Sequence, residues 1–225
     1  MVRCRFVAPT NSKYDSIGGY VHPCVRVDMI DCYHEAWNRF ALYMNGNPAS
    51  VATQTLTNVT AHNCALIQSG NATTTILMRC VETGAPRNGG SQLWGPVYSV
   101  QSQWRGSGMI GFATGGQRMF VGDVIDPAIT PGVNTQWAAA GAQASGTLVL
   151  DGCDVTMRYN ANKGASLMSM TQLTTMVTTY RSLKYTSTNV NNNPVRITNV
   201  EGGTIRVVDC PGLPAPIVSL NGRLV

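Results

Sequence analysis

The chain has 225 residues; 44% are hydrophobic, only 12% carry a charge, and the formal net charge is +5. The apolar fraction is sufficient for a large core, whereas the charged fraction is about half of that in typical soluble domains. The 16 lysine and arginine residues are scattered along the chain, so we do not expect a nucleic-acid partner. No apolar run approaches the ~20 residues of a membrane span, and the polar start of the chain lacks the apolar core of a signal peptide. These features predict a protein that is made in a cytoplasm and has no membrane partner.

The first predicted strand lies directly before Asp31 and Cys32. Residues 27–32 read VDMIDC, with apolar residues three and five positions before the cysteine and Asp31 directly before it. Alternation with a period of two directs both apolar side chains to one face of a strand. Asp enters the left-handed backbone region more easily than most residues. We therefore predict a strand, a bend at Asp31 and an inward-facing Cys32.

The same pattern recurs along the chain. It predicts inward-facing residues at Cys64, Val124, Cys153, Val200 and Cys210, and bends at the residues before them, Asn63, Asp123, Gly152, Asn199 and Asp209. The segment TILMRC fits poorly, because Arg79 stands at the bend position before Cys80. Buried free cysteine behaves as a small hydrophobe, which explains its exchange with valine. We therefore interpret the repeated cysteines as buried, reduced and structural.

Other segments depart from this pattern. Apolar residues at helical spacing predict two helices, carried by Tyr33, Trp37, Phe40 and Met44 and by Leu173, Met176, Val177 and Tyr180. The region at about 84–146 is rich in Gly, Ser and small residues. We predict that this region is an irregular insertion within a single β-rich domain of residues 1–225.

The segments NVTAHNC, TLVLDGCDVTM and TIRVVDC resemble rungs of right-handed parallel β-helix proteins, the pectate-lyase-like group. Low charge, abundant Thr and Asn and the absence of a secretion signal make the chain similar to the phage tailspike and tail-fibre branch. The resemblance implies a mainly β fold, a right-handed parallel β-helix with irregular insertions. A viral β-sandwich of the jelly-roll type, which also has many short strands and turns, is the alternative fold.

The resemblance also implies a function. Such a protein is part of a virion, is made in the host cytoplasm, assembles as a homotrimer with other virion proteins as partners, and attaches to the host by binding a cell-surface glycan. Aromatic rings among polar residues suit the apolar face of a sugar, which makes glycan-binding candidates of Trp94, Tyr98, Trp104 and Trp137. The alternative for these rings is packing of the insertion against the body or against a neighbouring subunit.

A polysaccharide-degrading tailspike is the alternative from the enzyme class. Glycoside hydrolysis uses two carboxyl groups about 5–10 Å apart, and two D-x-x-D segments supply Asp123, Asp126, Asp151 and Asp154 as candidate catalytic groups. Asp is also a common turn residue, so we expect glycan binding without turnover. A viral capsid or decoration protein is the third functional hypothesis.

One segment, HPCVRVDMIDCYH, contains metal-ligating residue types. Residues two apart on a strand share a face, so each of its two pairs could present two ligands together. The four residues are His22, Cys24, Cys32 and His34. Their spacing differs from that of structural zinc sites, and Cys32 already belongs to the strand pattern. We therefore predict neither a bound metal nor another cofactor.

Overall fold

The computed structural model describes residues 1–8, 20–21, 25–36, 40–44, 53–70, 73–84, 90–106, 110–112, 115–127, 135–141, 144–158, 165–170, 174–188, 196–200, 202–213, 217–218 and 223–224. Within these residues the chain forms 26 β-strands and no helix. The mainly β fold class predicted from the sequence is therefore confirmed.

The strands form three sheets, and every described pairing between them is parallel. Sheet A contains β3 (Arg26–Ile30), β6 (Thr53–Thr57), β9 (Thr74–Met78), β12 (Val97–Val100), β15 (Gln117–Val121), β18 (Thr147–Asp151), β21 (Val177–Arg181), β24 (Thr204–Val208) and β26 (Arg223–Leu224). Sheet B contains β1 (Arg5–Val7), β4 (Tyr33–Glu35), β7 (Thr60–His62), β10 (Val81–Gly84), β13 (Gln103–Gly106), β16 (Val124–Ile125), β19 (Asp154–Arg158) and β22 (Lys184–Thr188). Sheet C contains β2 (Tyr20–Val21), β5 (Phe40–Met44), β8 (Ala65–Ser69), β11 (Gln92–Leu93), β14 (Ile110–Phe112), β17 (Thr135–Ala140), β20 (Ala165–Met170), β23 (Arg196–Val200) and β25 (Ile217–Val218).

The chain visits the three sheets in turn, so that from β1 to β24 each strand pairs with the strand three places later. Thr53 of sheet A pairs with Thr74, 21 residues later, and Thr147 pairs with Val177, 30 residues later. Antiparallel strands build a jelly roll, so the alternative β-sandwich does not fit these parallel pairings.

The corner between sheets A and B has the same geometry in successive strands. One residue at each corner has a φ of 50° to 62°, in the left-handed region: Asp31, Asn58, Arg79, Gln101, Gly122, Gly152 and Ser182. Asp209, which follows β24 but precedes no described sheet B strand, has a φ of 50° as well. The backbone N–H of the corner residue donates to a carbonyl of the next sheet A strand, as from Asn58 to Met78 at 2.9 Å. The predicted bends at Asp31, Gly152 and Asp209 are confirmed. The predicted bend at Asn63, with a φ of 54°, lies at the corner between sheets B and C.

Three details of the predicted repeat are wrong. The bend before Val124 is at Gly122, not Asp123, so Asp123 is the buried inward residue and Val124 lies outside it, half-buried. Asn199 lies within β23, where it pairs with Ser169, rather than at a bend. Arg79 does occupy a bend, and Cys80 after it is fully buried.

At several corners the next residue points into the core and makes polar contacts there, as Cys80, Asp123 and Cys153 do. The Cys80 thiol donates to the Leu56 carbonyl at 3.3 Å, and the Cys80 backbone N–H donates to the Ser102 hydroxyl at 3.1 Å. Cysteine at this position therefore satisfies a backbone carbonyl as well as filling space, which explains why serine also occurs there: the Ser102 hydroxyl donates to the Val100 carbonyl at 3.4 Å. All six described cysteines are free. Cys32, Cys64 and Cys153 are buried as predicted, and Cys80 is buried as well. The predicted burial of Cys210 is wrong, because Cys210, like Cys4, is only half-buried.

Both predicted helices are wrong. Tyr33 lies in β4 and Phe40 in β5, strands of two different sheets, so their helical spacing does not reflect a helix. Trp37 and Leu173 lie outside the described residues. Val177 and Tyr180 belong to β21, where β-branched Thr residues favour a strand. The predicted insertion at about 84–146 also contains regular structure, since strands β11 to β17 continue all three sheets through it.

Sheets A and C differ in the exposure of their residues. Strands of sheet A alternate between buried and accessible residues, with Leu148 and Leu150 of β18 fully buried. Burying a leucine side chain stabilises a fold by about 1.5–3 kcal/mol. By contrast, all five residues of β8 in sheet C are buried. Sheet A therefore presents an open outer face along its length.

Candidate interaction surface

Two of the four aromatic residues predicted to bind a glycan lie inside the core. Trp104 and Trp137 are each only 2% exposed, and both pack edge-on against Phe120, with ring centroids 5.7 and 5.3 Å away. The prediction is wrong for this pair: Trp104 occupies the inward phase of β13, and its neighbours on either side point outward. Alternation of buried and accessible residues with a period of two is the signal that identifies Trp104 as a core residue. Trp94 is half-buried and Tyr98 is 39% exposed, so both remain accessible.

Asp123, a candidate catalytic residue, is fully buried. Its Oδ2 accepts hydrogen bonds from the Ser99 hydroxyl at 2.5 Å and the Trp104 indole N–H at 2.9 Å, and its Oδ1 accepts one from the Ser102 backbone N–H at 3.0 Å. Burial raises the pKa of Asp123 to about 6, although the three donors oppose this shift. The carboxylate is closed off from any substrate and organises the core.

The other candidate carboxylates point in different directions. Asp151, on the outer face of sheet A, forms an ion pair with Arg181, whose Nε lies 2.9 Å from Oδ1. Hydrogen bonds from Arg181 lower the pKa of Asp151. Asp154, on sheet B, accepts a hydrogen bond from Lys184 Nζ at 3.0 Å, and Asp126 is half-buried. The structure therefore does not bring these four carboxylates together around one cleft.

A second buried carboxylate escaped the sequence analysis. Glu82 Oε2 accepts hydrogen bonds from the Leu66 backbone N–H at 2.7 Å and from the Ser91 hydroxyl at 2.6 Å. Burial raises the pKa of Glu82. The carboxylate points inward from β10, where a charged group is rare. It accepts a hydrogen bond from the backbone of sheet C and does not face solvent.

The two described residues of the candidate metal segment, Cys32 and His34, are not arranged as metal ligands. His34 is 1% exposed and its ring stacks on Phe6, with centroids 4.8 Å apart. Burial lowers the pKa of His34 to about 4, and neither ring nitrogen has a hydrogen-bond partner among the described residues. The Cys32 thiol donates to the Ile30 carbonyl at 3.3 Å. His22 and Cys24 lie outside the described residues, within which no group of three or more metal-ligating side chains occurs.

The outer face of sheet A carries a set of neighbouring accessible apolar residues. Its four central strands, β9, β12, β15 and β18, are in register, so that outward residues stand side by side. Those that are apolar form what we call the sheet A patch: Ile76, Met78, Tyr98, Val100, Met119, Val121 and Val149. Met78, Tyr98 and Val100 are between 37% and 40% exposed. Contiguous exposed apolar residues mark interaction sites on soluble proteins.

Polar groups border the sheet A patch at both ends. On one side, β6 presents the outward threonines Thr53, Thr55 and Thr57, and beyond it Arg26 Nε lies 2.7 Å from the Asp28 carboxylate. On the other side is the Asp151–Arg181 ion pair. The charges at both borders are thus paired within the chain. By contrast, the accessible residues of sheet B are mostly polar, among them Arg5, Tyr33, Glu35, His62, Thr83, Gln103, Arg105, Asp154 and Lys184.

Trp94 lies at the corner between sheets C and A and is held from inside. The fully buried Arg118 donates from Nη2 to the Trp94 carbonyl at 3.1 Å, from Nε to the Leu93 carbonyl at 3.2 Å, and from Nη1 to the Ser145 carbonyl at 3.2 Å. Burial lowers the pKa of Arg118 to about 10. The guanidinium therefore ties the backbone beneath Trp94, before β12, to the corner before β18, two turns of the chain later.

An open groove of about 380 Å³ lies beside β22. It is lined by Ser182, Leu183, Lys184, Tyr185, Asp209 and Pro211. Asp209 is the only carboxylate in this lining, whereas glycoside hydrolysis uses two. The groove thus offers no support for the enzyme hypothesis.

Comparisons with protein families, with curated proteins and with solved structures find no match for this chain. In the described part of the chain, no helix has the length and apolar character needed to cross a membrane.

Proposed function

We propose that the three sheets are the walls of a right-handed parallel β-helix and that the chain is a structural protein of a virion, of the tailspike or tail-fibre type. The observation that carries this proposal is the regular succession of three parallel sheets with a left-handed residue at the same corner. Repeated stacking of this kind gives a stiff, quasi-one-dimensional body. Such a body suits a mechanical link between a particle and its host.

Host attachment through a cell-surface polysaccharide is the proposed task, and we assign the glycan contact to Trp94. Its ring is half-buried, so the protein supports the ring while part of it meets solvent. Because Arg118 already fixes the backbone beneath it, little ordering is needed on binding. Tyr98 is the weaker candidate, since its register partners Ile76 and Met119 have no groups that bond hydroxyls.

A single aromatic contact gives weak binding. Such a contact contributes about 0.5–1.5 kcal/mol beyond the buried area. Several copies of the chain in one assembly would raise the apparent affinity by avidity. Self-association, as a homotrimer, therefore belongs to the proposed function.

The test is binding of the labelled protein to an array of bacterial surface polysaccharides. We expect binding to at least one polysaccharide, and Trp94→Ala to weaken it about tenfold, which corresponds to about 1.4 kcal/mol. Gln103→Ala, on the outer face of sheet B, is the matched control. Equal binding by Trp94→Ala and the parent protein would refute the assignment of this residue.

The same samples test the enzyme hypothesis. We expect no oligosaccharide to be released from any bound polysaccharide. Release that stops in Asp151→Asn or Asp154→Asn would favour a polysaccharide-degrading protein over the proposed binding protein.

A further inference from the structure

We propose that the sheet A patch is the contact surface between copies of this chain. The inference rests on the proposed structural role and names the partner that this role requires, a second copy. The patch spans four adjacent strands of a sheet whose side chains are described from β3 to β24.

The composition of this face is that of an inner sheet face. Where a sheet has one face in water, its outward residues are normally polar. Here Tyr98 stands between Ile76 and Met119 across the strands, and Val100 stands between Met78 and Val121. Around an axis along the stacking direction, such faces from two or three copies can cover one another as inner sheet faces do.

The size of the face suits a stable contact. Eight strands about 4.8 Å apart give a length of about 38 Å, and strands of five residues give a width of about 16 Å. The footprint of the whole face from β3 to β24 is therefore about 600 Å², of which the four strands of the sheet A patch supply about 300 Å², compared with about 800 Å² per partner in a standard interface. Corner residues beside the sheet would supply the remainder.

The charges on the face also fit a second copy. Arg26 is already paired with Asp28, and Asp151 with Arg181. A symmetry axis along the stacking direction places each strand opposite the same strand of the partner. The apolar strands then meet apolar strands. The two ion pairs lie at the rim of the contact, together with Arg206, which is exposed in the single chain. A polysaccharide would find few hydrogen-bonding groups on this patch, which argues against it as the occupant.

The experiment is sedimentation velocity of the purified chain at micromolar concentration, without any polysaccharide. We expect the unmodified chain to sediment as a dimer or trimer. Val100→Lys places a charge in the centre of the patch at a position that is 40% exposed, and we expect it to raise the dissociation constant at least tenfold. Gln103→Lys, on sheet B in the strand that follows, is the control and should assemble like the parent.

A milder variant protects the test against misfolding. Tyr98→Thr introduces the residue type found at the equivalent outward position of β6 and β21, at Thr55 and Thr179. We expect it to weaken association while the circular dichroism spectrum stays unchanged. A monomeric parent chain, or assembly of Tyr98→Thr and Val100→Lys with the parent's affinity, would overturn the inference. Loss of association in Val100→Lys, with binding of one glycan by the single chain retained, would separate this contact from the attachment site at Trp94.

Discussion

Asp123 provides the sharpest test of how the core is held together. In Asp123→Ala the Trp104 and Ser102 N–H groups lose their acceptor in a fully buried site, and the Ser99 hydroxyl must find another partner. A buried unsatisfied donor costs about 1–3 kcal/mol. We therefore expect Asp123→Ala to lower the free energy of unfolding at pH 7 by about 3–5 kcal/mol, a large part of the total for a domain.

The pH dependence of Asp123 has a defined sign. Its pKa rises from 3.8 to about 6 on folding, so the folded state holds a proton between these values that the unfolded state has released. The contribution of Asp123 to stability is then greatest below pH 3.8 and falls as the pH rises to about 6, by about 3 kcal/mol at 1.36 kcal/mol per pKa unit. Asp123→Asn cannot release this proton.

The assay is urea unfolding of the parent protein, Asp123→Ala and Asp123→Asn at several pH values from 4 to 7. All other titrating groups are shared, so the difference between the parent and Asp123→Asn curves isolates Asp123. We expect this difference to favour the parent more strongly at pH 4 than at pH 7. If Asp123→Ala unfolds within 1 kcal/mol of the parent, or the difference does not vary with pH, the reasoning about this network is refuted.

Three further predictions concern other features of the fold. Gly146→Ala should destabilise the protein by about 3 kcal/mol or more, because φ is +86° and the new Cβ would lie 2.1 Å from a backbone oxygen. Gly152→Asn should change the free energy of unfolding by no more than about 1 kcal/mol, because no atom lies within 4 Å of its new Cβ. Cys80, fully buried and with its pKa raised to about 11 by burial, should react with a thiol reagent much more slowly than the half-buried Cys210. His34 should cost the fold stability as the pH falls from 6.5 towards 4, by about 3 kcal/mol, because its folded pKa is depressed to about 4; His34→Phe should remove this loss.

Each of these has a direct measurement and a contradicting result. Thermal unfolding with equal midpoints for Gly146→Ala and Gly152→Asn would contradict the crowding argument. Peptide mass spectrometry showing equal native labelling of Cys80 and Cys210 would contradict the burial of the corner thiols. For His34→Phe, an acid-induced loss of stability as large as that of the parent, measured by urea unfolding, would show that another group is responsible.

The corner repeat could be predicted from the sequence only where the bend residue is a usual one. Asp31 and Gly152 were identified because Asp and Gly enter the left-handed region readily. Arg79 is not a usual bend residue, so the pattern does not predict its bend. Its Nε donates to Asn58 Oδ1 at 2.9 Å, and Asn58 Nδ2 donates to Asp31 at 2.8 Å. This ladder between neighbouring corners offsets the backbone strain, and single-residue preferences do not include it.

The candidate surface was less predictable than the strands. The sheet A patch combines residues that are more than 20 positions apart, such as Ile76, Tyr98 and Met119, and only the strand register brings them together. For the same reason, the burial of Trp104 follows from its phase on β13, where its two neighbours point outward. A shift of one residue in phase exchanges the inner and outer faces of a strand, as the exchange of Asp123 and Val124 also illustrates.

The central claim is that this chain is a stack of parallel strands that joins its own copies through sheet A. Electron cryomicroscopy of the purified chain, at a resolution that separates neighbouring strands about 4.8 Å apart, tests it most directly. The account predicts a multimer in which each copy has three parallel sheets and Tyr98 and Val100 face a neighbouring copy. A map with antiparallel sheets, or a multimer whose sheet A faces point into solvent, would contradict it.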